Sequence, residues 1–228
     1  MQTHLIAPSE LIPSISARLN FSPPSGQYSI HPLESQTDTP SPGSNLLLIQ
    51  APNAAYACEL KQRSHNLVDA FIIPAPLAPY YGFITLVSGD IASLNLHAPI
   101  LNSLSPISNG WLHCGNIGAA SFMHQLWQAL LTPQGTNVFL AWDGVAPTST
   151  GNTNFTLTQP DILDQLAKFL AQQQLQTQTL ASLARRYLLE HPPSQFIAHH
   201  PQTTQLFPFL PQNEASPVHQ LASLLAQY

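Results

Sequence analysis

Short apolar runs alternate with stretches of helical periodicity between residues 45 and 131, and this alternation constrains the fold more than any other feature. Apolar runs of this length, bounded by Gly and Pro, are typical of buried strands. Strands that alternate with helices along the chain indicate an α/β domain. The predicted strands cover residues 46–50, 67–73, 83–87 and 110–114.

Helices are predicted over residues 54–63, 91–104 and 118–131. The last is the clearest, because its apolar residues follow the i, i+3, i+4, i+7 spacing of one helix face, at Met123, Leu126, Trp127 and Leu130. A loop rich in Gly, Asn and Thr follows at about residues 148–154 and is predicted to separate two domains.

The chain beyond this loop is predicted to be all-helical. Pro160 and Asp161 suit the first turn of a helix, and two apolar stripes joined by a Gln-rich segment extend the pattern to Glu190. One long helix is therefore expected, ended by Pro192-Pro193. A final amphipathic helix is predicted over residues 218–227.

The first part of the chain is rich in Pro, Ser and Thr. We expect residues 1–44 to be irregular apart from one short helix over residues 9–19. The predicted organisation is an irregular segment at 1–44, an α/β domain at 45–147 and a helical domain at 148–228.

Charged residues are scarce: the 228 residues include 6 Lys and Arg and 11 Asp and Glu. The charged fraction of 7% compares with about 25% in an average soluble domain. No basic run exists, so nucleic acid is not an expected partner. No apolar run is long enough to cross a bilayer and the first residues lack a secretory pattern, so we expect a cytoplasmic protein with no membrane partner.

Four segments between residues 67 and 131 occur in a familiar order: LVDAFIIPA, YYGFITLVSGD, HAPILNSLSP and GWLHCGNIGAASFMHQLWQAL. They resemble the β-hydroxyacid dehydrogenase superfamily, and most closely its decarboxylating 6-phosphogluconate dehydrogenases. The matching positions are Asp69, Gly82, Ser88-Gly89-Asp90, Pro99, His113, Gly115 and Gly118-Ala119. The segment from Ala215 to Leu225 resembles the C-terminal Pro-Val helix of that family.

The resemblance implies a fold that is α/β followed by all-α. It would be a partial Rossmann-like nucleotide-binding domain lacking its Gly-rich half, then a helical domain led by one long helix. The family's Gly-x-Gly-x-x-Gly motif for the cofactor pyrophosphate is absent, because residues 1–44 contain only Gly26 and Gly43. Gly115 and Gly118 are the candidate cofactor-binding residues, although a tight strand-to-helix turn alone would also require them.

The resemblance also implies where catalytic residues would lie. His124 stands at the position of the family's base lysine and Gln128 at that of its substrate-orienting asparagine. Leu131 replaces the general-acid glutamate, and Ile73-Pro74-Ala75 replaces the Ser-Gly-Gly turn. Histidine can act as a base near neutral pH, whereas leucine cannot donate a proton.

Other chemistry-bearing residues favour structural roles. His191 and the pair His199-His200 lack ligand spacing, so no metal site is predicted. Cys114 is expected to be a packed thiol rather than a nucleophile. Arg185 and Arg186 are expected on a solvated helix face, although either could contact a phosphate.

Three hypotheses follow. The first is a degenerate 6-phosphogluconate dehydrogenase-like protein with little or no activity and no cofactor, which binds an unidentified small molecule or forms a homodimer through its helical domain. The second is an active oxidoreductase that uses NADP or NAD, with His124 as base, on a small (phospho)hydroxy acid. The third is a gene fragment whose upstream part supplies the missing Gly-rich half.

Overall fold

The computed structural model describes residues 2–34, 44–63, 66–131, 159–194, 196 and 215–228. Within them six strands form one sheet with helices on both faces. The strands are β1 Gln2–Ala7, β2 Gln27–Pro32, β3 Asn45–Ile49, β4 Asn66–Ile73, β5 Ile84–Ser88 and β6 Leu112–Gly115. The helices are α1 Ile12–Phe21, α2 Ala54–Arg63, α3 Ala78–Tyr81, α4 Ile91–Leu104, α5 Ala119–Leu131, α6 Gln159–Glu190 and α7 Pro217–Leu225.

The strand order is β2-β1-β3-β4-β5-β6. Strands β2, β1, β3 and β4 are mutually parallel, β5 is antiparallel to β4, and β6 is parallel to β5. The chain runs outward from β1 to the edge strand β2 and then returns past β1 to β3, so the order of the sheet reverses between β1 and β3. Open α/β sheets bind ligands outside the carboxyl ends of the strands at such a reversal.

The expectation that residues 1–44 are irregular is wrong, because β1, α1 and β2 form a β-α-β unit. Residues 1–44 therefore contribute two strands and a helix to the α/β part of the chain, and no Gly-x-Gly-x-x-Gly motif accompanies them. Strand pairing explains the difference, since β1 pairs with both β2 and β3, and Leu5 is fully buried between them. Pro13 lies in the first turn of α1, where proline is tolerated.

The prediction of an α/β fold followed by helices is confirmed. The helices expected over residues 54–63 and 91–104 have these bounds, and α6 continues as one helix to Glu190. The predicted domain boundary at residues 148–154 and the pair His199-His200 lie outside the described residues.

Three apolar clusters hold the elements together. One lies between the sheet and helices α1 and α4, a second lies between the sheet and α2, and a third joins α5, α6 and α7. The third contains Phe122, Tyr187 and Val218, and their burial fixes the helical part against the end of β6. No helix in the described ranges has the length and apolar composition to cross a membrane.

The buried side chain of Arg18 connects α1 to α3 and to the end of α4. Its guanidinium group donates hydrogen bonds to the carbonyl oxygens of Ser103, Tyr80 and Ser105 at 2.7, 2.8 and 2.8 Å. Burial lowers the pKa of Arg18. Because all three partners are backbone carbonyls, this cation has a structural role.

Candidate functional site

The turn from β6 into α5 carries the two glycines that the sequence singled out. Gly115 has φ +145° and Gly118 has φ +96°. Residues other than glycine rarely adopt this region of φ. The turn brings the start of α5 close to the middle of β4 and the end of β5, which pair with each other at Asp69 and Ser88.

The backbone N–H groups at the start of α5 are satisfied within the chain. Asp69 Oδ2 accepts hydrogen bonds from the N–H of Gly118 at 3.3 Å and from the N–H and hydroxyl of Ser121 at 3.1 and 2.8 Å. Ala120 N–H donates to the Ser88 hydroxyl at 3.3 Å, and Ala119 N–H donates to the Asn116 carbonyl at 3.1 Å. The carboxyl group of Asp69 therefore occupies the place that a bound anion would take.

Asp69 is fully buried, and its two carboxyl oxygens have different surroundings. Oδ2 also accepts from the Ser88 hydroxyl at 3.1 Å, whereas Oδ1 is buried with no hydrogen-bond partner in the described part of the chain. Burial raises the pKa of Asp69, and the hydrogen bonds from Ser121, Ser88 and Gly118 oppose that rise. Its carboxyl group thus holds a proton more readily than an exposed aspartate does.

Side chains that follow α6 or precede α7 fill the space over both glycines. A Cβ atom at Gly115 would lie 2.7 Å from the hydroxyl oxygen of Ser216, and one at Gly118 would overlap the His191 ring. Ser216 also begins α7, because its hydroxyl accepts the N–H of His219 at 3.2 Å. The close approach that these glycines permit is therefore used by other parts of the same chain.

His191 links α2 to the end of α6. Its Nδ1 donates to the Tyr187 carbonyl at 3.1 Å, so Nε2 is free to accept from the Cys58 thiol at 3.4 Å. The His191 and Tyr187 rings stack with centroids 4.6 Å apart. Burial raises the pKa of Cys58, with Asp69 and Glu190 adding to the rise, so the thiol remains protonated at neutral pH.

His124 and Gln128 contact each other on α5. The Gln128 amide donates to His124 Nε2 at 2.9 Å, and the imidazole ring stacks on Phe71 with centroids 5.0 Å apart. Burial lowers the pKa of His124, and the Ala51 carbonyl opposes that shift. The ring is therefore neutral near pH 7 and accepts a proton less readily than an exposed histidine.

A cavity of about 240 Å³ lies between the start of α2, the middle of α5 and the end of α6. Its polar lining comes from Asn53, Gln125, Arg186 and Glu190. Arg186 donates to the Gln125 side chain at 2.9 Å. Pockets for drug-sized ligands have volumes of about 300–1,000 Å³, so this space suits a smaller molecule.

The β1–α1 turn, where a Rossmann domain holds its dinucleotide, contains no glycine: it is Pro8-Ser9-Glu10-Leu11. Glu34, which follows β2, accepts from the Ser9 N–H at 3.3 Å and from the Ser9 hydroxyl at 2.6 Å. The hydroxyl contact lowers the pKa of Glu34. Leu11 begins α1 without a side-chain cap, and Pro13 removes one N–H from its first turn.

The structure brings some predicted site residues together and separates others. His124 and Gln128 form one pair, while Gly115 and Gly118 border the buried Asp69 cluster at the start of the same helix. The backbone at residue 131 is the last of α5, and its side chain is not among the described ones. Cys114 is buried with its pKa raised to about 12 by burial, which agrees with a packed thiol.

Sequence reasoning missed the roles of His191, Ser216 and Glu34. Each contacts a residue far away in the chain, as Cys58 and His191 do across 133 positions, so local pattern gives no signal for them. Arg186 was expected on a solvated face, and it is exposed there while also lining the cavity.

The chain matches no family model and no curated protein sequence. Among solved structures, it is similar to an imine reductase variant from Myxococcus stipitatus in complex with NAD⁺, with 15% identity, a TM-score of 0.43, and coverage of 87% of this chain and 79% of that one. It is also similar to 3-hydroxyisobutyrate dehydrogenase from Salmonella typhimurium, with 12% identity, a TM-score of 0.43 and coverage of 98% and 99%.

A third similar structure is 3-hydroxyisobutyrate dehydrogenase from Mycobacterium tuberculosis with L-serine, at 13% identity, a TM-score of 0.42 and 98% coverage of both chains. All three proteins are dehydrogenases or reductases by name. Likeness at these identities and scores carries no argument about activity, which must rest on the residues of this chain.

Proposed function

We propose that this protein is a degenerate relative of the β-hydroxyacid dehydrogenases, most like the decarboxylating 6-phosphogluconate dehydrogenases, whose NAD(P)-dependent activity is lost or much reduced. Its remaining role is to bind a small polar molecule between α2, α5 and α6. The observation that carries the proposal is the β1–α1 turn, which contains no glycine and in which the N–H and hydroxyl of Ser9 already donate to the carboxylate of Glu34.

Pyrophosphate binding at the start of α1 would require close backbone approach and unoccupied donors. The Ser9 N–H and hydroxyl instead donate to Glu34, and Glu10 is a second acidic residue in the same turn. Carboxylates beside a phosphate repel it, and the positive end of a helix does not outweigh two such charges, because it is equivalent to roughly half an elementary charge.

The start of α5 supports the same conclusion on the substrate side. Its N–H groups are occupied by Asp69, Ser88 and Asn116, and both of its glycines are covered by side chains of this chain. These contacts favour the turn-forming role of Gly115 and Gly118 over the cofactor-binding role.

The cavity beside α6 is the best candidate for the binding role. Its volume of about 240 Å³ is too small for a dinucleotide, Arg186 supplies a cation beside the Gln125 amide and Asn53, and Glu190 adds one carboxylate to the same lining. A small hydroxy acid has matching chemistry, since its carboxylate would pair with Arg186 and its hydroxyl with an amide.

The alternative is an active oxidoreductase in which His124 is the base. Its contact with Gln128 favours this only by fixing the orientation of the imidazole ring, because the Gln128 amide donates to Nε2 and must move aside before that atom accepts a substrate proton. The lowered pKa makes His124 a weaker base than an exposed histidine. It also keeps the ring in its neutral form, which is the form that can accept a proton.

Turnover assays separate the two functions. The purified chain is incubated with NADP⁺ or NAD⁺ and 6-phosphogluconate or 3-hydroxyisobutyrate, and absorbance of the reduced cofactor is followed. We expect no turnover above the no-enzyme rate. Turnover that His124→Ala abolishes, and that His219→Ala retains, would establish the alternative.

Calorimetry tests the binding role with the same hydroxy acids. We expect Arg186→Ala to weaken binding by about tenfold, the effect of losing one charge-assisted hydrogen bond. Arg185→Ala is the matched control, because its guanidinium donates to the Ala226 carbonyl and does not line the cavity. Equal affinity of the two variants for the hydroxy acid would show that it does not bind in this cavity.

We also propose that the helical part forms a homodimer. Leu175 and Leu189 are 51% and 85% exposed, and they lie on nearly the same stripe of α6 about four turns apart. Apolar side chains so exposed on one helix face favour association. Sedimentation at micromolar concentration tests this, and a strict monomer would contradict it.

A further inference from the structure

Three polar side chains converge on the two outermost strands at the β2 edge of the sheet, and none of them belongs to the sites described above. His4 of β1 is paired in register with Ser29 of β2, and His31 lies two residues further along β2. Because alternate residues of a strand point to the same face, the three side chains share one face. All three are half-buried.

The donor atoms of these side chains form a small triangle. His4 Nδ1 and His31 Nε2 are 3.2 Å apart, and the Ser29 hydroxyl oxygen lies 2.9 Å from the first and 2.8 Å from the second. Two imidazole nitrogens aimed at each other need at least one proton between them. In the absence of a metal, one ring N–H and the serine hydroxyl supply the protons for these contacts.

The dimensions of the triangle match one face of a metal coordination shell. Zn–N bonds are about 2.0–2.1 Å long, which places neighbouring ligand atoms roughly 2.8–3.0 Å apart in octahedral geometry and roughly 3.3–3.4 Å apart in tetrahedral geometry. The nitrogen-to-nitrogen distance of 3.2 Å falls within this range. An ion can therefore replace the shared proton without moving either strand.

We propose that His4, His31 and Ser29 form a binding site for a divalent transition-metal ion of the class that prefers imidazole, such as Zn²⁺, Ni²⁺ or Cu²⁺. Two neutral imidazoles select these ions over Mg²⁺ and Ca²⁺, which prefer carboxylate and carbonyl oxygen. The described residues contain no group of three or more His, Cys, Asp and Glu placed to hold a metal, so the shell is completed by water. The bound ion is therefore exchangeable.

A metal at this position connects β1 to the edge strand β2. An ion that binds the folded chain alone stabilises it by mass action, so the melting temperature rises with ion concentration. The effect does not depend on the dehydrogenase-like sites, because none of the three residues takes part in them.

The test uses the full chain and metal chlorides alone. We expect calorimetry to give saturable binding of Zn²⁺ and Ni²⁺ but not of Mg²⁺, and both transition metals to raise the melting temperature. His4→Gln and His31→Gln should each weaken binding at least about tenfold, since each removes a ligand. His219→Gln, on α7, is the matched control and should bind as the unmodified chain does.

Three results would overturn the site: no saturable binding of any transition metal, unchanged affinity in the His4→Gln/His31→Gln double variant, or equal affinity for Mg²⁺. If the variants fail to fold, NMR of the unmodified chain tests the site directly. Substoichiometric Ni²⁺ should broaden the ring resonances of His4 and His31 before those of any other histidine, and broadening elsewhere first would exclude the site.

Discussion

The starts of α1 and α5 both follow a strand of the same sheet, and a carboxyl group of the chain contacts each of them. The carboxyl group is buried at α5 and exposed at α1. At α5 a buried carboxyl group of the chain, Asp69, takes the N–H groups that a ligand anion would use. At α1 the exposed carboxylate of Glu34 contacts the turn, and the helix has no side-chain cap. A helix start can thus be closed to a ligand anion by a buried carboxyl group of the chain, or be made less favourable for one by an exposed carboxylate.

This difference predicts how each region responds to substitution. The α5 start is buried and contacts distant parts of the chain, so changes there should alter the stability of the whole fold. The α1 start is exposed, so changes there should alter stability little. The predictions below either sharpen this contrast or break it.

The largest effect is expected from Gly118→Ala. The new Cβ would overlap the His191 ring at a positive φ, which together cost about 2–4 kcal/mol of unfolding free energy. Urea unfolding measures it. Gly26→Ala is the matched control, because Gly26 also has a positive φ but no atom within 4 Å of its added Cβ. Equal losses in both variants would show that His191 does not cover Gly118.

Asp69→Ala should lower the unfolding free energy by about 2 kcal/mol. It leaves the buried N–H groups of Gly118 and Ser121 without an acceptor, and removal of a buried acid offsets part of that cost. Urea unfolding at pH 7 provides the measurement. A variant as stable as the unmodified chain would mean that the α5 start does not depend on this cap.

The Asp69→Asn variant tests how the contribution of Asp69 to the unfolding free energy depends on pH. Because burial raises the pKa of Asp69, its contribution to stability is complete below the ordinary aspartate pKa and declines as pH rises through the raised value. The asparagine variant should therefore gain stability relative to the unmodified chain as pH increases from about 4. A difference that stays constant, or falls, between acidic and neutral pH would contradict the raised pKa.

Glu34→Gln should have the smallest effect. Its contacts with Ser9 are exposed, so the urea midpoint should change less than in any of the α5 variants. The lowered pKa of Glu34 means that its contribution is present above the ordinary glutamate pKa and is lost as pH falls through the lowered value. A larger loss than that of Asp69→Ala would reverse the contrast between the two helix starts.

The contrast also separates what could and could not be predicted from sequence. Strands β3 and β4 were predicted because buried strands are continuous apolar runs, and α5 because its apolar face repeats at helical spacing. Strand β1 was missed, because a run of only three apolar residues at its end is outweighed by the Pro- and Ser-rich segment around it. Its pairing with β3, which tertiary structure supplies, makes it a strand.

At the candidate site the sequence identified the two glycines but not the side chains that cover them. Gly115 and Gly118 were found because glycine has few roles before a helix, and a positive φ is one of them. His191 and Ser216, which cover them, are separated from them by long stretches of chain, so no local pattern connects them. The metal-sized triangle at His4 was missed for the same reason, since strand register alone brings His31 beside it.

Binding of NADPH to the full chain, followed by the change in its fluorescence, tests the central claim most directly. We predict no saturable binding in the micromolar range, because the β1–α1 turn contains no glycine, carries acidic residues, and has the Ser9 N–H and hydroxyl occupied by Glu34. The Gly118→Ala variant should give the same flat titration. Saturable micromolar binding by the unmodified chain, strengthened by Glu34→Gln, would contradict the account.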